Sequence, residues 1–466
     1  MGALLTAGIG RGRATSVPVL RGSVPMVGVL PALARDPLEV FARARALGDV
    51  ARLALPGRHP VFVLAEPAHI RHVLQESHAN YRRTPFHDQL KPLLGEGLVT
   101  SEGELWDQQR RLLQPAFRAE RVRRFVEVMG IGADELAARW ERAADAGQVL
   151  DVSREMSDLA LDIALRCMFG QERRAEGAAV GAAVREAQAW IASRFWSLLP
   201  GWTERLPLPS NRRFRRARAL LDGVVEGIIA RRLASGRMGD DLLGMLLAAQ
   251  QGLESDRVDA RQVRDEVMTA LLAGHETSAA ALTWTWHLLA GNPRVADAVC
   301  DEANSVFGGR SAPSADDLGR LVLTRAVIGE AMRLYPPVGW FGRLAAGADR
   351  IGGYAIPAGA ILALSPWLVQ RDPRFWPEPE RFDPARFAPG APRRPAYTYF
   401  PFGGGPRTCI GNHFAMTEML VALAVLAPRV RLRPASAAPV RPELLVTLRP
   451  AGGLPMRVER RRAPSC

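Results

Sequence analysis

The stretch that most constrains this chain runs from Asp259 to Ala290. It reads as a single helix. Asp259 and Gln262 sit in the positions of a capping box, and Gly291-Asn292-Pro293 is a stop signal. At 1.5 Å per residue such a helix spans roughly 45 Å, enough to cross a whole domain. Its middle is apolar almost all round, so it belongs inside a core. Within that buried part stands Ala273-Gly274-His275-Glu276-Thr277-Ser278. A glycine, a glutamate and two hydroxyls are costly in a core helix. They are either a packing glycine with back-bonded hydroxyls or a working site.

The rest of the chain supplies material to bury that helix. Of 466 residues, 48% are hydrophobic and 23% charged, the balance of an ordinary globular protein. The first fifty residues are punctuated by proline and glycine. Two β-rich runs around Pro56-Gly57 predict a hairpin. Helical patterns dominate from Pro67 to about Ala290. Between about Gly339 and Tyr399 the chain turns irregular and proline-rich, with short strand-like pieces. Helix returns after Gly411, and Pro442–Pro450 reads as strand. No repeat or linker divides the sequence. The expected fold is mainly α with small β-sheets, one large helical domain over 21–460, with a flexible segment at 1–20 and a flexible tail at 461–466.

Composition excludes several functions. Net charge is +13, and all but one of the 61 basic side chains are arginine. No basic stripe interleaved with aromatics appears, so nucleic acid is not an expected partner. An acidic protein partner remains compatible with a basic face. No stretch reaches the roughly 18 apolar residues of a membrane helix, and no membrane anchor is expected. Met1-Gly2 with Thr6 fits a myristoylation pattern, but a flexible start is the simpler reading. The four cysteines, Cys167, Cys300, Cys409 and Cys466, lack the density of a disulfide scaffold, which points to a reducing, cytoplasmic location.

Cys409 stands in Phe402-Gly-Gly-Gly-Pro-Arg-Thr-Cys-Ile-Gly411. A nucleophilic cysteine needs a base, and His413, one turn along the following helix, would point away from it. A phosphate loop needs Gly-Lys-Ser/Thr, which is missing. Structural zinc needs three or four ligands. A single thiolate suffices to hold haem iron axially. Gly403, Gly404 and Gly405 would let backbone lie flat against a macrocycle, and helix-start N–H groups could stabilise the sulfur's charge. A buried structural cysteine stays open as the alternative.

Here the chain resembles the cytochrome P450 family of haem-thiolate monooxygenases, over nearly its whole length. Phe402, Gly403, Gly405, Arg407, Cys409 and Gly411 match every defined position of the family's cysteine loop. Glu330 and Arg333, with Arg386 downstream, match its buried triad, although Ala385 stands where the family usually has glutamate. Glu120/Arg123 and Glu378/Arg381 share the triad's spacing without its context and are expected on the surface. Trp106 and Arg110, before Pro115-Ala116-Phe117, match the family's early helix, whereas Trp190/Arg194 has the spacing alone. The resemblance implies haem b between the long helix and the cysteine loop. Cys409 would ligate the iron. Trp106, Arg110, Arg343 and Arg407 would meet the propionates. Thr277 and Glu276 would form the acid–alcohol pair that handles protons for dioxygen, with Ala273 and Gly274 leaving room.

The resemblance implies a monooxygenase that uses O2, with NAD(P)H-derived electrons from a separate ferredoxin and its reductase, acting as a monomer on a hydrophobic small molecule. A peroxide-using or isomerising relative would not need the Glu276-Thr277 pair, and a haem sensor or carrier would not need the relay. The substrate pocket is expected from the loop around Phe86 to Val99, the helical pair from Trp190 to Trp202, Ala270 and Ala273 of the long helix, the turn from Val338 through Trp340 to Phe341, and Leu445 and Val446 of the tail. Arg205–Phe214, Gly352–Gly359 and Ser365–Pro373 look like the bacterial branch that oxidises sesquiterpenes such as pentalenene in secondary metabolism. Fatty acids and polyketides are the alternative substrates.

Overall fold

The computed structural model describes residues 16–22, 26–170, 177–195, 201–252 and 258–461. Most of the extremes at 1–20 and 461–466, the end of the aromatic pair before Trp202, and Cys466 lie outside them.

The long helix spans Ala260–Gly291, and Asp259 caps it by accepting the Gln262 N–H at 2.7 Å. It crosses the molecule and packs most extensively on the helix Val152–Phe169, and also on Val322–Leu334, Asn412–Leu426 and Pro209–Ser235. The burial its sequence demands is met on its far half by aromatics. Trp284, fully buried, stacks on Tyr335 at 3.9 Å and donates its indole N–H to the Leu448 carbonyl, while Trp286 meets Trp140 edge-on. Thr277, Thr283 and Thr285 each turn their hydroxyl back on the carbonyl four residues earlier, at 2.7–2.9 Å, which is how a helix hides a hydroxyl in a core.

β-structure gathers at one side. The hairpin expected around Pro56-Gly57 forms, with Val50–Leu53 antiparallel to Val61–Leu64. It sits in a six-stranded sheet whose spatial order is Val19–Leu20, Val50–Leu53, Val61–Leu64, Ile361–Leu364, Phe341–Ala345 and Tyr81–Arg82. Val19–Leu20, at the edge of the segment read as flexible, pairs in parallel with Arg52–Leu53. Pro442–Pro450 is not one strand. Pro442–Leu444 and Leu448–Pro450 fold back as a two-stranded hairpin whose turn is closed by Leu445 N–H on the Thr447 carbonyl. The prolines at both ends sit opposite each other at its open end.

The irregular segment is fastened by a buried ion network. Arg333 and Glu330 are both fully buried and paired through two parallel hydrogen bonds of 2.7 and 2.8 Å. Arg386 reaches the same carboxylate at 3.4 Å, and the Asp383 N–H completes its shell at 3.0 Å. Glu378 and Arg381 pair with each other on the surface, and Arg123 turns instead to Asp316.

Candidate active site

Glu330 and Arg333 lead directly to the cysteine loop. Gln370 donates to the Met332 and Arg333 carbonyls and accepts the Phe400 N–H at 2.9 Å; the Phe400 carbonyl then accepts the Gly403 N–H at 2.9 Å. The loop closes on itself through Cys409 N–H to the Phe402 carbonyl at 2.9 Å, and Arg110 clamps it by donating to the Thr408 carbonyl at 2.9 Å. Gly403 and Gly405 adopt positive φ of 70° and 66°. The three glycines do not serve one purpose. A Cβ at Gly405 would strike the Leu74 carbonyl and one at Gly404 the Tyr397 ring, so both make room for neighbouring protein; only Gly403 also lines the cavity above.

That cavity holds about 1600 Å³ of open space. That figure includes space open to solvent. Phe402, Gly403, Arg407, Cys409 and Gly411 form part of its wall on the loop side; Ala270, Ala273, Gly274 and Thr277 form part of it on the long-helix side, with Val338 and Phe341 also lining it. Ala273 is exposed in the middle of a core helix because the cavity lies against it, and Cys409 is accessible for the same reason. Although it opens on the cavity, Cys409 is surrounded by protein, and this desolvation raises its thiol pKa above the ordinary value, against the opposing pull of the Gly411 N–H and the Arg110 charge. His413 is exposed and off the cavity wall.

Cations converge at one end. Arg343 and Arg407 line both this cavity and a neighbouring one of about 870 Å³, with Trp106 between them as shared wall. The Arg407 guanidinium lies 4.1 Å above the Trp106 ring and bonds Glu102 at 2.5 Å. Arg83 and His87 join them on the main cavity wall; His87, with Leu98 and Val99, lies in the loop expected around Phe86 to Val99, whereas Arg83 was not foreseen. Burial lowers Arg83 to about 9, Arg343 to about 10 and His87 to about 3, and repulsion from the neighbouring arginines adds to each; the arginines stay charged near pH 7 while His87 is neutral. Glu102 is the named anion that opposes Arg83, Arg343 and Arg407 together. A cluster of buried, mutually repelling cations beside an apolar slot suits a flat group bearing two carboxylates. The donor set thus fits haem: a single thiol on one wall and a cationic end. The signal for Arg83 was the Arg82-Arg83 pair ahead of Thr84-Pro85, uninformative until the fold brings it against Arg343.

Several expected pocket residues lie elsewhere. Trp190 stacks on Phe214 at 4.0 Å and donates to Asn211, which ties it between two helices. Arg194 beside it pairs with Glu204. Phe86 and Trp340 pack on each other at 5.6 Å, and Trp340 also meets Phe41, while their neighbours His87 and Phe341 take the cavity wall. Leu445 occupies the hairpin turn, and Val446 packs against the main core. Glu276 stands half-buried, its carboxylate accepting the Thr447 hydroxyl at 3.3 Å. No described helix is long and apolar enough to cross a membrane.

A family model described as cytochrome P450 matches residues 18–453. Cyclooctatin synthase of Streptomyces melanosporofaciens is 36% identical over 439 residues, 92% of this chain and 93% of that one. Pentalenene oxygenase of Streptomyces avermitilis is 33% identical over 432 residues, covering 92% and 94%. The crystal structure of the cytochrome P450DA heme domain superposes with a TM-score of 0.85 at 28% identity, over 96% of this chain and 98% of that one.

Proposed function

The chain belongs to the cytochrome P450 family and is an oxidoreductase of the monooxygenase kind, and we propose that it hydroxylates a C–H bond of a terpenoid in secondary metabolism. One observation carries the catalytic part: Cys409 and the Thr277 face of the long helix line the same large, mainly apolar cavity. The names of two relatives, cyclooctatin synthase and pentalenene oxygenase, support the terpenoid part.

Cys409 would hold haem iron, with Arg83, Arg110, Arg343, Arg407 and Trp106 around the propionates. When bound, haem supplies dioxygen activation by one-electron steps, chemistry that belongs to the cofactor. The chain's own contribution is placement and proton supply. The Thr277 hydroxyl, now donated to the Ala273 carbonyl, can swing to hold a water where dioxygen would sit. Glu276 exchanges its Thr447 contact for that water and brings protons from solvent. The apolar wall from Ala270 to Phe341 holds the substrate and limits water, so protons arrive by side chain rather than by flooding. Electrons come from NAD(P)H through a ferredoxin that docks beside the cysteine loop; the enzyme works as a cytoplasmic monomer.

The test is spectroscopic. The reduced carbon-monoxide complex of the haem-loaded chain is expected to show the red-shifted Soret band of a thiolate ligand, and Cys409→Ala to lose it. A panel of terpenes, fatty acids and macrolactones then reads substrate class by the type I spectral shift; binding only by fatty acids or macrolactones removes the terpenoid reading.

A further inference from the structure

The substrate end of the cavity carries polarity that the reading above leaves unused. Glu266, Thr269, Ala270, Ala273 and Thr277 line the cavity at helical spacings of three and four, so they share one face of the long helix. Glu266 and Thr269 are 2% and 5% exposed. One carboxylate oxygen of Glu266 accepts the Leu98 N–H at 3.1 Å. Its other oxygen, and the Thr269 hydroxyl, are buried with no hydrogen-bond partner. Among the helix's hydroxyls, Thr277, Thr283 and Thr285 are satisfied on the preceding turn, whereas Thr269 and Ser278 are not; Ser278 has the Glu418 carboxyl beside it, and Thr269 has only Glu266 one turn away. Two orphaned polar atoms one turn apart cost free energy unless something pairs them. Burial also raises the Glu266 carboxyl to about 8, which leaves it able to donate as well as accept at neutral pH.

We propose that Glu266 and Thr269 form a polar anchor for a hydroxyl group of the substrate, which is therefore an alcohol on a hydrocarbon skeleton. This rests on the terpenoid reading and sharpens it. By helical rise Thr269 lies roughly 12 Å and Glu266 roughly 16 Å along the axis from Thr277. The anchored hydroxyl thus sits at the end of the molecule remote from the carbon that is oxidised. The enzyme acts after a hydroxyl-forming reaction, either water capture by a cyclised cation or an earlier oxygenation, and its product is a diol.

The experiment compares matched alcohols and hydrocarbons on the haem-loaded chain: cedrol with cedrene, farnesol with farnesene, and dodecanol with dodecane. Dissociation constants come from the type I shift and, independently, from the rise in Tm with ligand. An unpaired buried polar group costs about 1–3 kcal/mol, and about 1.4 kcal/mol is tenfold in affinity, so at least one alcohol is expected to bind about tenfold or more tighter than its hydrocarbon. Thr269→Val keeps the shape and is expected to cut that preference severalfold while leaving hydrocarbon affinity alone. Glu266→Gln, which keeps an acceptor for Leu98 N–H, is expected to reduce it less. Absence of alcohol preference in every pair, or a Thr269→Val chain that discriminates as well as the parent, overturns the anchor. A preference confined to dodecanol keeps the anchor and sinks the terpenoid reading instead.

Discussion

At the residue scale, two polar side chains, Thr277 and Glu418, play opposite parts. Thr277 faces the cavity with its hydroxyl held on the Ala273 carbonyl at 2.9 Å. Thr277→Ala leaves the helix intact, since alanine is a better helix former, and removes the group that would hold water near dioxygen. The expected outcome is haem content unchanged, product formation down about tenfold or more, and most reducing equivalents recovered as hydrogen peroxide. Tight coupling in that variant, measured as product per NADPH, removes Thr277 from proton handling. Glu418 is unused by the reaction. It is fully buried on the helix Asn412–Leu426, neither carboxylate oxygen has a partner meeting hydrogen-bond geometry, and it also perturbs the Cys167 thiol. Burial pushes its carboxyl up to about 8, against a small opposing pull from the Ser278 hydroxyl. An unfolded glutamate titrates near 4.3, so between about 4.3 and 8 the unfolded chain releases a proton that the folded chain keeps. Stability contributed by this group is therefore complete at low pH and lost as pH rises through that window. Glu418→Gln is expected to match the parent near pH 5 and to exceed its Tm by a few °C near pH 8. A gap that does not change with pH means that the carboxyl does not titrate as buried.

At the element scale, the link between the helix Val322–Leu334 and the proline-rich segment decides whether the cysteine loop exists. Two Glu-x-x-Arg pairs in this chain form ion pairs of nearly equal length, yet their surroundings differ. Glu330–Arg333 is fully buried at 2.7 Å, whereas Glu378–Arg381 sits at 3.1 Å with both side chains more than half exposed. Removing one partner of a buried pair strands the other charge and costs about 3–5 kcal/mol, while an exposed pair is worth about 0–1 kcal/mol. Arg333→Ala is therefore expected to yield a chain that denatures at much lower urea or fails to load haem, and Arg381→Ala one that matches the parent. Equal midpoints for the two would remove the network's claimed role. This distinction was legible beforehand from context alone: the Tyr-Pro-Pro run after Arg333 marks a chain leaving a helix into irregular structure, which needs side chains to satisfy it. Gln370, whose side-chain amide couples that pair to the loop through the backbones of Met332, Arg333 and Phe400, was not legible, because an amide in a loop has no sequence signature until its partners are known.

At the scale of the whole molecule, periodicity and capping specified the long helix to within a residue at either end, and the cysteine loop's spacing specified one wall of the site. The opposite end of the site was only partly readable. Arg343 and Arg407 were legible through the motifs around them, but Arg83 comes from a segment more than 250 positions before either, and among so many arginines nothing marks it as the one the fold brings to them. Aromatic residues misled for the related reason that a large ring is as useful between helices as beside a ligand: Trp190 and Trp340 were taken by packing. The convergence of cations has a consequence for the molecule as a unit. Burial and mutual repulsion depress Arg83 and Arg343 below their ordinary values while leaving them charged near pH 7, so the fold carries strain that a dianion relieves. Haem loading is then expected to raise Tm for two separable reasons, apolar burial of the macrocycle and neutralisation of this cluster. Haem dimethyl ester keeps the first and lacks the second. Each charge-assisted hydrogen bond is worth about 1.5–3 kcal/mol, so the ester is expected to bind at least tenfold more weakly and to raise Tm less. Salt should also narrow the difference, because added anions screen the cluster in the haem-free chain. If the ester and the free acid stabilise the chain equally at low salt, the cationic end is not where the carboxylates lie, and the orientation assigned to the group within the cavity is wrong.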